Sequence, residues 1–322
     1  AGALFLAEYF GSTKATYNYA AWQQTYYIMA SLMLIGVVTT LLIKEPTVTR
    51  VQHERPMSDY FQLFLLFLIS VIALIASFIG IGHVLPATES KFLGFIYESI
   101  KFIGAVVIAI STALVLLKAK IIKKQVAVDM WVAPIQDFFI RYGKKAVWLI
   151  LLIGLYRISD IVAGTTSNLF YVNLGFSKTD IALAVKTFGM GMSIVGGILG
   201  GLLAERFKIM NAMLIGAILA SASNLLFVIL ADKGHDFFYM YSAVMFDNLA
   251  SGLASAIFVA FLSVLTNIRF SMVQYALLSS LMTLTPKILG GYSGAMVETM
   301  GYPAFFTFTA LIGIPVLLLI YM

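Results

Sequence analysis

Apolar runs of about twenty residues recur almost end to end along this chain, and no other feature restricts its fold as much. A helix of that length rises about 30 Å, the thickness of a bilayer's hydrocarbon core. In lipid every backbone N–H and C=O must be bonded inside the protein, so runs of this kind read as transmembrane helices. The composition agrees: 61% of the 322 residues are hydrophobic and 11% charged, whereas soluble domains carry roughly 25% charge. The expected fold is all-α, a polytopic transmembrane helix bundle.

The runs and their breakers predict nine complete spans, near 24–43, 60–82, 92–117, 147–171, 180–204, 210–231, 238–266, 272–297 and 303–322. The opening AGALFLAEYF starts within a further apolar run, without an initiator methionine or the basic n-region of a signal peptide. This predicts that upstream helices precede it, so that the bundle is N-terminally incomplete. There is no cysteine, hence no disulfide or thiolate chemistry.

The net charge of +6 does not point to nucleic acid, because the basic residues lie in the short connections. One set of alternate connections holds Lys44, Arg50, Arg55, Lys118, Lys120, Lys123, Lys124, Arg141, Lys144, Lys145, Arg206, Lys208 and Arg269. The other set holds Lys14, Lys91, Lys178 and Lys233. The bias predicts that the first set, and the C-terminal Met322, are cytoplasmic.

Two connections carry local signals. Trp131, Ile135, Phe138 and Tyr142 follow at spacings of four, three and four, with Gly143 as a stop. The pattern predicts a short amphipathic helix on the cytoplasmic interface, joining two bundles; an ordinary helical linker is the alternative. Ser177 and Asp180 have capping-box spacing ahead of the span at 180–204.

Four spans carry ionisable residues far from their ends: Arg157 with Asp160, Lys186, Asp247 beside Asn248, and Lys287. Each costs about 2.5–3.5 kcal/mol at mid-membrane, so each must face a partner or a water-filled cavity. Helical offsets put Arg157, Asp160 and Gly164 on one face, Asp247, Ser251 and Ser255 on another, and Ser280, Thr283 and Lys287 on a third. Converging polar faces make a pathway; structural ion pairs between helices are the alternative. Glu98 and Lys101, nearer a span end, suit a local pair. His53, His83 and His235 lack companions at ligand spacing, so no metal or other cofactor is expected.

Gly189, Ser193, Gly197 and Gly201, with Gly196 and Gly200 beside them, predict close approach of a neighbouring helix. Gly201, Glu205 and Arg206 in GLLAERFK match the G-x-x-x-[DE]-R-x-G loop of the major facilitator superfamily, except that Lys208 replaces the last glycine.

LYRISDIVAGTTSNLFYVNLGFSKTDIALAVKTFGMGMSIVGGILGG and FDNLASGLASAIFVAFLSVLTNIRFSMVQYALLSSL resemble the AmpG muropeptide permease family of that superfamily. The resemblance covers residues 145–322, and more loosely the earlier part, including AAWQQTYYIMASLMLIGVVTTLLIKEP. It implies a multi-pass protein of the Gram-negative inner membrane that imports anhydro-muropeptides by proton symport for cell-wall recycling. It also implies a division of the chain: 1–55 as the remnant of an N-terminal six-helix half, 56–124 as an inserted helix pair, 125–145 as the linker, and 146–322 as the C-terminal six-helix half.

A muropeptide carries several carboxylates and sugar hydroxyls. Arg157, Lys186 and Lys287 are candidates for the carboxylates, and Asn248 and Gln274 for the hydroxyls. Asp160 and Asp247 are candidate proton carriers, and Gly201, Glu205 and Arg206 a candidate cytoplasmic gate. The expected partners are this glycopeptide, protons and membrane lipids, with the protein acting as a monomer. Enzymatic catalysis finds no nucleophile paired with a base and no metal-ligand motif. Another symporter of the superfamily, for acetyl-coenzyme A or a sugar-type anion, is the alternative.

Overall fold

The computed structural model describes residues 2–12, 18–43, 56–86, 91–119 and 123–321. Lys14, Lys44, Arg50, Arg55, Lys120, His53 and Met322 lie outside the described residues. The protein is all-α and polytopic. Among the described residues, eight stretches are long and apolar enough to cross a membrane.

After the short α1 (Gly2–Tyr9), α2 (Tyr19–Leu42) starts at Asn18, whose side chain accepts from Ala20 and Ala21 N–H. Then α3 (Met57–Val84) packs along α4 (Lys91–Lys118). Lys101 pairs with Glu98 and lies over the Phe78 ring at 5.0 Å, so these charges form the local pair that their spacing predicts.

The connection after α4 is helical but not uniform: α5 (Lys124–Ala127), a π-helical segment (Val128–Val132) and α6 (Ala133–Tyr142). The π segment carries extra residues per turn and shifts the helical phase of α6. The expected face of Trp131, Ile135, Phe138 and Tyr142 is therefore split. Phe138 is buried, but Trp131 and Ile135 are exposed. Val126 and Ala127 cluster with Leu63 and Leu66 of α3, while Phe138 joins the main core.

That main core draws its buried residues from Phe138 onward. It is built by α7 (Lys145–Leu155), α8 (Ile158–Asn173), α9 (Lys178–Ile181) running through a π segment (Ala182–Phe188) into α10 (Gly189–Arg206), α11 (Ile209–Lys233), α12 (Phe237–Leu265), α13 (Ser271–Gly290), α14 (Ser293–Leu311) and α15 (Ile314–Tyr321). The predicted capping box opens α9: Asp180 accepts from Ser177 N–H at 3.0 Å, and Ser177 Oγ accepts from Asp180 N–H at 3.1 Å. Phe170, Phe227, Tyr302 and Phe306 stack into an aromatic cluster where α8, α11 and α14 meet.

Ser293–Tyr321 is not one straight crossing. Gly301 sits at φ 77, ψ 164, which breaks α14 and suits glycine alone. Ser293 lies against Thr165 and Val162, Tyr302 bonds Asn173 at the far end of α8, and Thr309 is back at Ser159. The chain thus ascends along α8 to Gly301 and returns, which matches the expected division between 272–297 and 303–322. Helix α13 itself falls short of the apolarity of the other spans, because Gln274, Ser279, Ser280, Thr283, Thr285 and Lys287 dilute it.

The closest helix pair is α10 against α12. A methyl group at Gly196 would lie 2.2 Å from Leu249 O, and one at Gly200 would lie 2.4 Å from Leu253 O. One at Gly252 would lie 2.1 Å from Ser193 O. Gly197 and Gly201 by contrast face open space, so the seam runs through Gly189, Ser193, Gly196 and Gly200. The spacings of four, three and four replace the strict four-residue stripe, because 3.6 residues per turn drifts off a four-residue repeat.

Candidate intramembrane charge site

The span at 145–173 is not the continuous helix that its apolar run predicts. It stops at Leu155 and resumes at Ile158, with Arg157 at φ −101, ψ 16 as the cap of α8. An interrupted helix leaves N–H and C=O groups without intrahelical partners, which in a membrane must be satisfied by the protein. Arg157 sits at this interruption and Asp160 in the first turn beyond it, where a carboxylate meets the positive end of the α8 dipole.

Arg157 Nη2 donates to Asp160 Oδ2 and, at 3.0 Å, to Ser251 Oγ on α12. Ser251 Oγ in turn donates to Asp160 Oδ2 at 3.1 Å. The pair is 20% and 13% exposed, and Arg157 Nε is buried with no hydrogen-bond partner among the described residues. One turn away on α12, half-buried Asp247 acts electrostatically on Asp160, Arg157 and the buried Tyr171 of α8. The structure thus brings Arg157, Asp160 and Asp247 together. It adds Ser251, whose place on the Asp247 face is legible in the sequence but whose role as a bridge is not. Ser255 continues the face and donates to Ser251 O at 2.6 Å.

The other candidates stand apart. Lys186, in the π segment, and Lys287, after Pro286 in α13, are both exposed, and no hydrogen bond or ion pair reaches their side chains among the described residues. Asn248 is turned towards α10: its Nδ2 donates to Val244 O at 2.9 Å, and Ser193 Oγ donates to Asn248 O at 3.2 Å. Gly201, Glu205 and Arg206 are exposed at the end of α10, and neither charge forms an ion pair among the described residues.

Gln274 requires a correction. It does not line a cavity but is 2% exposed and fully engaged at the level of the linker. Its Nε2 donates to Pro134 O at 2.8 Å and Asp137 Oδ2 at 2.9 Å. Its Oε1 accepts from Arg141 Nη2 at 3.0 Å and Asn267 N–H at 2.7 Å. Asp137 also accepts from Arg141 Nε at 2.8 Å and Asn267 Nδ2 at 3.1 Å. Burial pushes the Asp137 carboxyl up, but hydrogen bonds from Gln274, Arg141 and Asn267 and the guanidinium charge outweigh it and hold it below the usual carboxylate range. This latch fastens α6 to α13 and the α12–α13 turn.

No protein-family model matches the chain. It is 37% identical over 191 residues to the anhydromuropeptide permease of Escherichia coli K12, covering 59% of this chain and 38% of the permease. It is 29% identical over 199 residues to the putative transporter AmpG 4 of Rickettsia conorii, covering 61% of this chain and 48% of that transporter. With the putative transporter AmpG 1 of Rickettsia prowazekii it shares 30% identity over 174 residues, 54% of this chain and 39% of the relative. The chain therefore spans less than half the length of these curated relatives. By the permease and transporter names of these relatives and by its apolar helices, this chain is a polytopic membrane protein related to curated anhydromuropeptide permeases and AmpG-type transporters.

Proposed function

We propose that this chain is part of a proton-coupled importer of anhydro-muropeptides, carrying them from periplasm to cytoplasm for cell-wall recycling. The observation that carries the reading is the Arg157–Asp160–Ser251 ring at a mid-span helix break, with Asp247 beside it. Broken helices near the bilayer midplane are where alternating-access transporters keep their sites. A guanidinium whose Nε has no hydrogen-bond partner among the described residues has a donor to spare for a substrate carboxylate, and Asp160 competes with that carboxylate for the same fork. Protonating Asp160 releases Arg157 to the substrate, and substrate release returns it; this couples proton to solute. Asp247 is the second carrier. The exposed Lys186 and Lys287 attract further substrate carboxylates, and Asn248 serves hydroxyls at the edge of the site. Glu205 and Arg206, with Gly201, gate the cytoplasmic end.

On this reading residues 146–322 are the C-terminal six-helix half, 125–145 the cytoplasmic linker, 56–124 an inserted pair and 1–55 the end of the N-terminal half. The protein sits in the inner membrane of a Gram-negative bacterium as a monomer among lipids, with its C-terminus cytoplasmic, and it needs neither cofactor nor catalysis.

The test is uptake of labelled anhydro-muropeptide into proteoliposomes holding the full-length protein, with a proton gradient imposed. Accumulation that collapses with the gradient is the expected result. Accumulation of a nucleotide thioester instead, or none, overturns the proposal.

A further inference from the structure

The interruption at Arg157 is held from behind on both of its sides. Ahead of it, the Tyr156 hydroxyl donates to Met213 O of α11 at 3.1 Å. Gly216 makes the room, since a methyl group there would lie 2.7 Å from that hydroxyl. Beyond it, Asn224 of α11, 0% exposed, donates through Nδ2 to Ser159 Oγ at 2.9 Å and Ser159 O at 3.3 Å. Ser159 Oγ donates in turn to Thr309 O of α14 at 2.7 Å. Ser159 stands between Arg157 and Asp160 in the chain, so whatever fixes it fixes the direction in which both charges leave α8.

Asn224 is a poor choice for stability alone. Its Oδ1 is buried without a hydrogen-bond partner among the described residues, and an apolar side chain would avoid that desolvation. Ser159 would still have Thr309 O to bond. What leucine cannot replace is the pair of amide protons directed at Ser159.

We infer that Asn224 is a positioning residue for the intramembrane charge site: by holding Ser159 from α11 it sets the exit angle of α8, and thereby keeps Arg157 and Asp160 against Ser251 of α12. The inference rests on the reading that this pair serves transport, and its test separates the two.

Two measurements are made on the full-length protein, for Asn224→Leu, Ser159→Ala and the double variant. The first is proton-driven muropeptide uptake against pH, beside thermal unfolding. Asn224→Leu is expected to unfold within about 3 °C of the parent, to lose roughly tenfold or more of its uptake and to shift the pH midpoint of uptake. A brace would scale the whole profile with folded protein and leave the midpoint alone. The double variant is expected to lose less than the sum of the two single changes, because both remove the Asn224 Nδ2–Ser159 Oγ bond. An unmoved midpoint, or additive losses, overturns the inference. If Asn224→Leu does not insert, Ser159→Ala, which removes the Nδ2–Oγ bond together with the bond to Thr309 O, is read alone by its pH midpoint.

The second measurement needs no substrate. Spin labels at Gly164→Cys on α8, where a side chain meets open space, and at the exposed Phe246→Cys on α12 report the direction of α8. A shifted or broadened distance in Asn224→Leu supports the inference even if the parent carries another solute. An unchanged distance refutes it even if muropeptide uptake is proved.

Discussion

Ser251 Oγ on α12 lies 3.0 Å from Arg157 Nη2, accepts its hydrogen bond across 94 residues of sequence, and donates its own hydrogen bond to Asp160. Each of these bonds involves a charged group and is worth about 1.5–3 kcal/mol net. Ser251→Ala leaves the Arg157–Asp160 contact standing but unties it from α12. The expected outcome is a folded protein with an unfolding midpoint several degrees lower and a raised KM for uptake. Ser251→Thr, which keeps the hydroxyl, restores most of both. Equal KM values for the alanine variant and the parent would remove Ser251 from the site.

The charge pair itself distinguishes brace from machine. Removing one member strands a mostly buried charge, at about 3–5 kcal/mol, whereas replacing both by apolar residues is often neutral. Asp160→Leu alone is therefore expected to express poorly. Arg157→Met with Asp160→Leu is expected to insert and fold, yet to accumulate no substrate against a gradient. Arg157→Lys keeps the charge but loses the planar fork and should also impair uptake. Retained proton-driven accumulation in the double variant would make the pair structural and move coupling to Asp247.

Most of the spans, the capping box at Ser177 and Asp180, and the grouping of Arg157, Asp160 and Asp247 were legible in the sequence. They follow from periodicity, spacing and the expense of charge in lipid. The break at Tyr156–Arg157 was not. No proline marks it, Gly154 just ahead of it is helical and packs on Thr285, and its fastenings, Met213, Asn224 and Thr309, lie on helices 57 to 150 residues away. Gln274 misled for a related reason. A polar residue in an apolar run reads as lining a cavity, but it lies at the N-terminal end of α13, and its partners Asp137 and Arg141 belong to a linker whose phase a π segment had shifted.

The α10–α12 seam gives a sharp contrast between neighbouring glycines. At Gly196 and Gly200 an added methyl meets backbone carbonyls, which cannot swing away as a side chain would. Overpacking of this kind costs about 1–3 kcal/mol or more. At Gly197 and Gly201 it meets nothing within 4 Å. Gly196→Ala and Gly200→Ala should lower the unfolding midpoint or abolish insertion, and Gly197→Ala and Gly201→Ala should not, as fluorescence-detected size exclusion after heating would read. Loss of uptake in a stable Gly201→Ala protein would be direct support for the gate at Glu205 and Arg206.

The latch at Asp137 predicts how the linker responds to acid. Its carboxyl is held below the usual range in the folded protein, so it binds protons less readily folded than unfolded. The resulting stabilisation is present above the unfolded carboxylate's pKa of about 3.9 and is lost as pH falls through the lower folded value. Asp137→Asn keeps the shape but removes the charge that Arg141 and Gln274 address, so it should weaken the latch at neutral pH and abolish its acid response. Fluorescence of Trp131, one and a half turns before Asp137 on the same linker, reports the change. The parent should loosen on acidification from about pH 4 downward, while the asparagine variant, looser from the start, should show no such step. Identical acid profiles would mean that Asp137 does not hold the linker, and that Gln274 fastens it through Pro134 O and Arg141 alone.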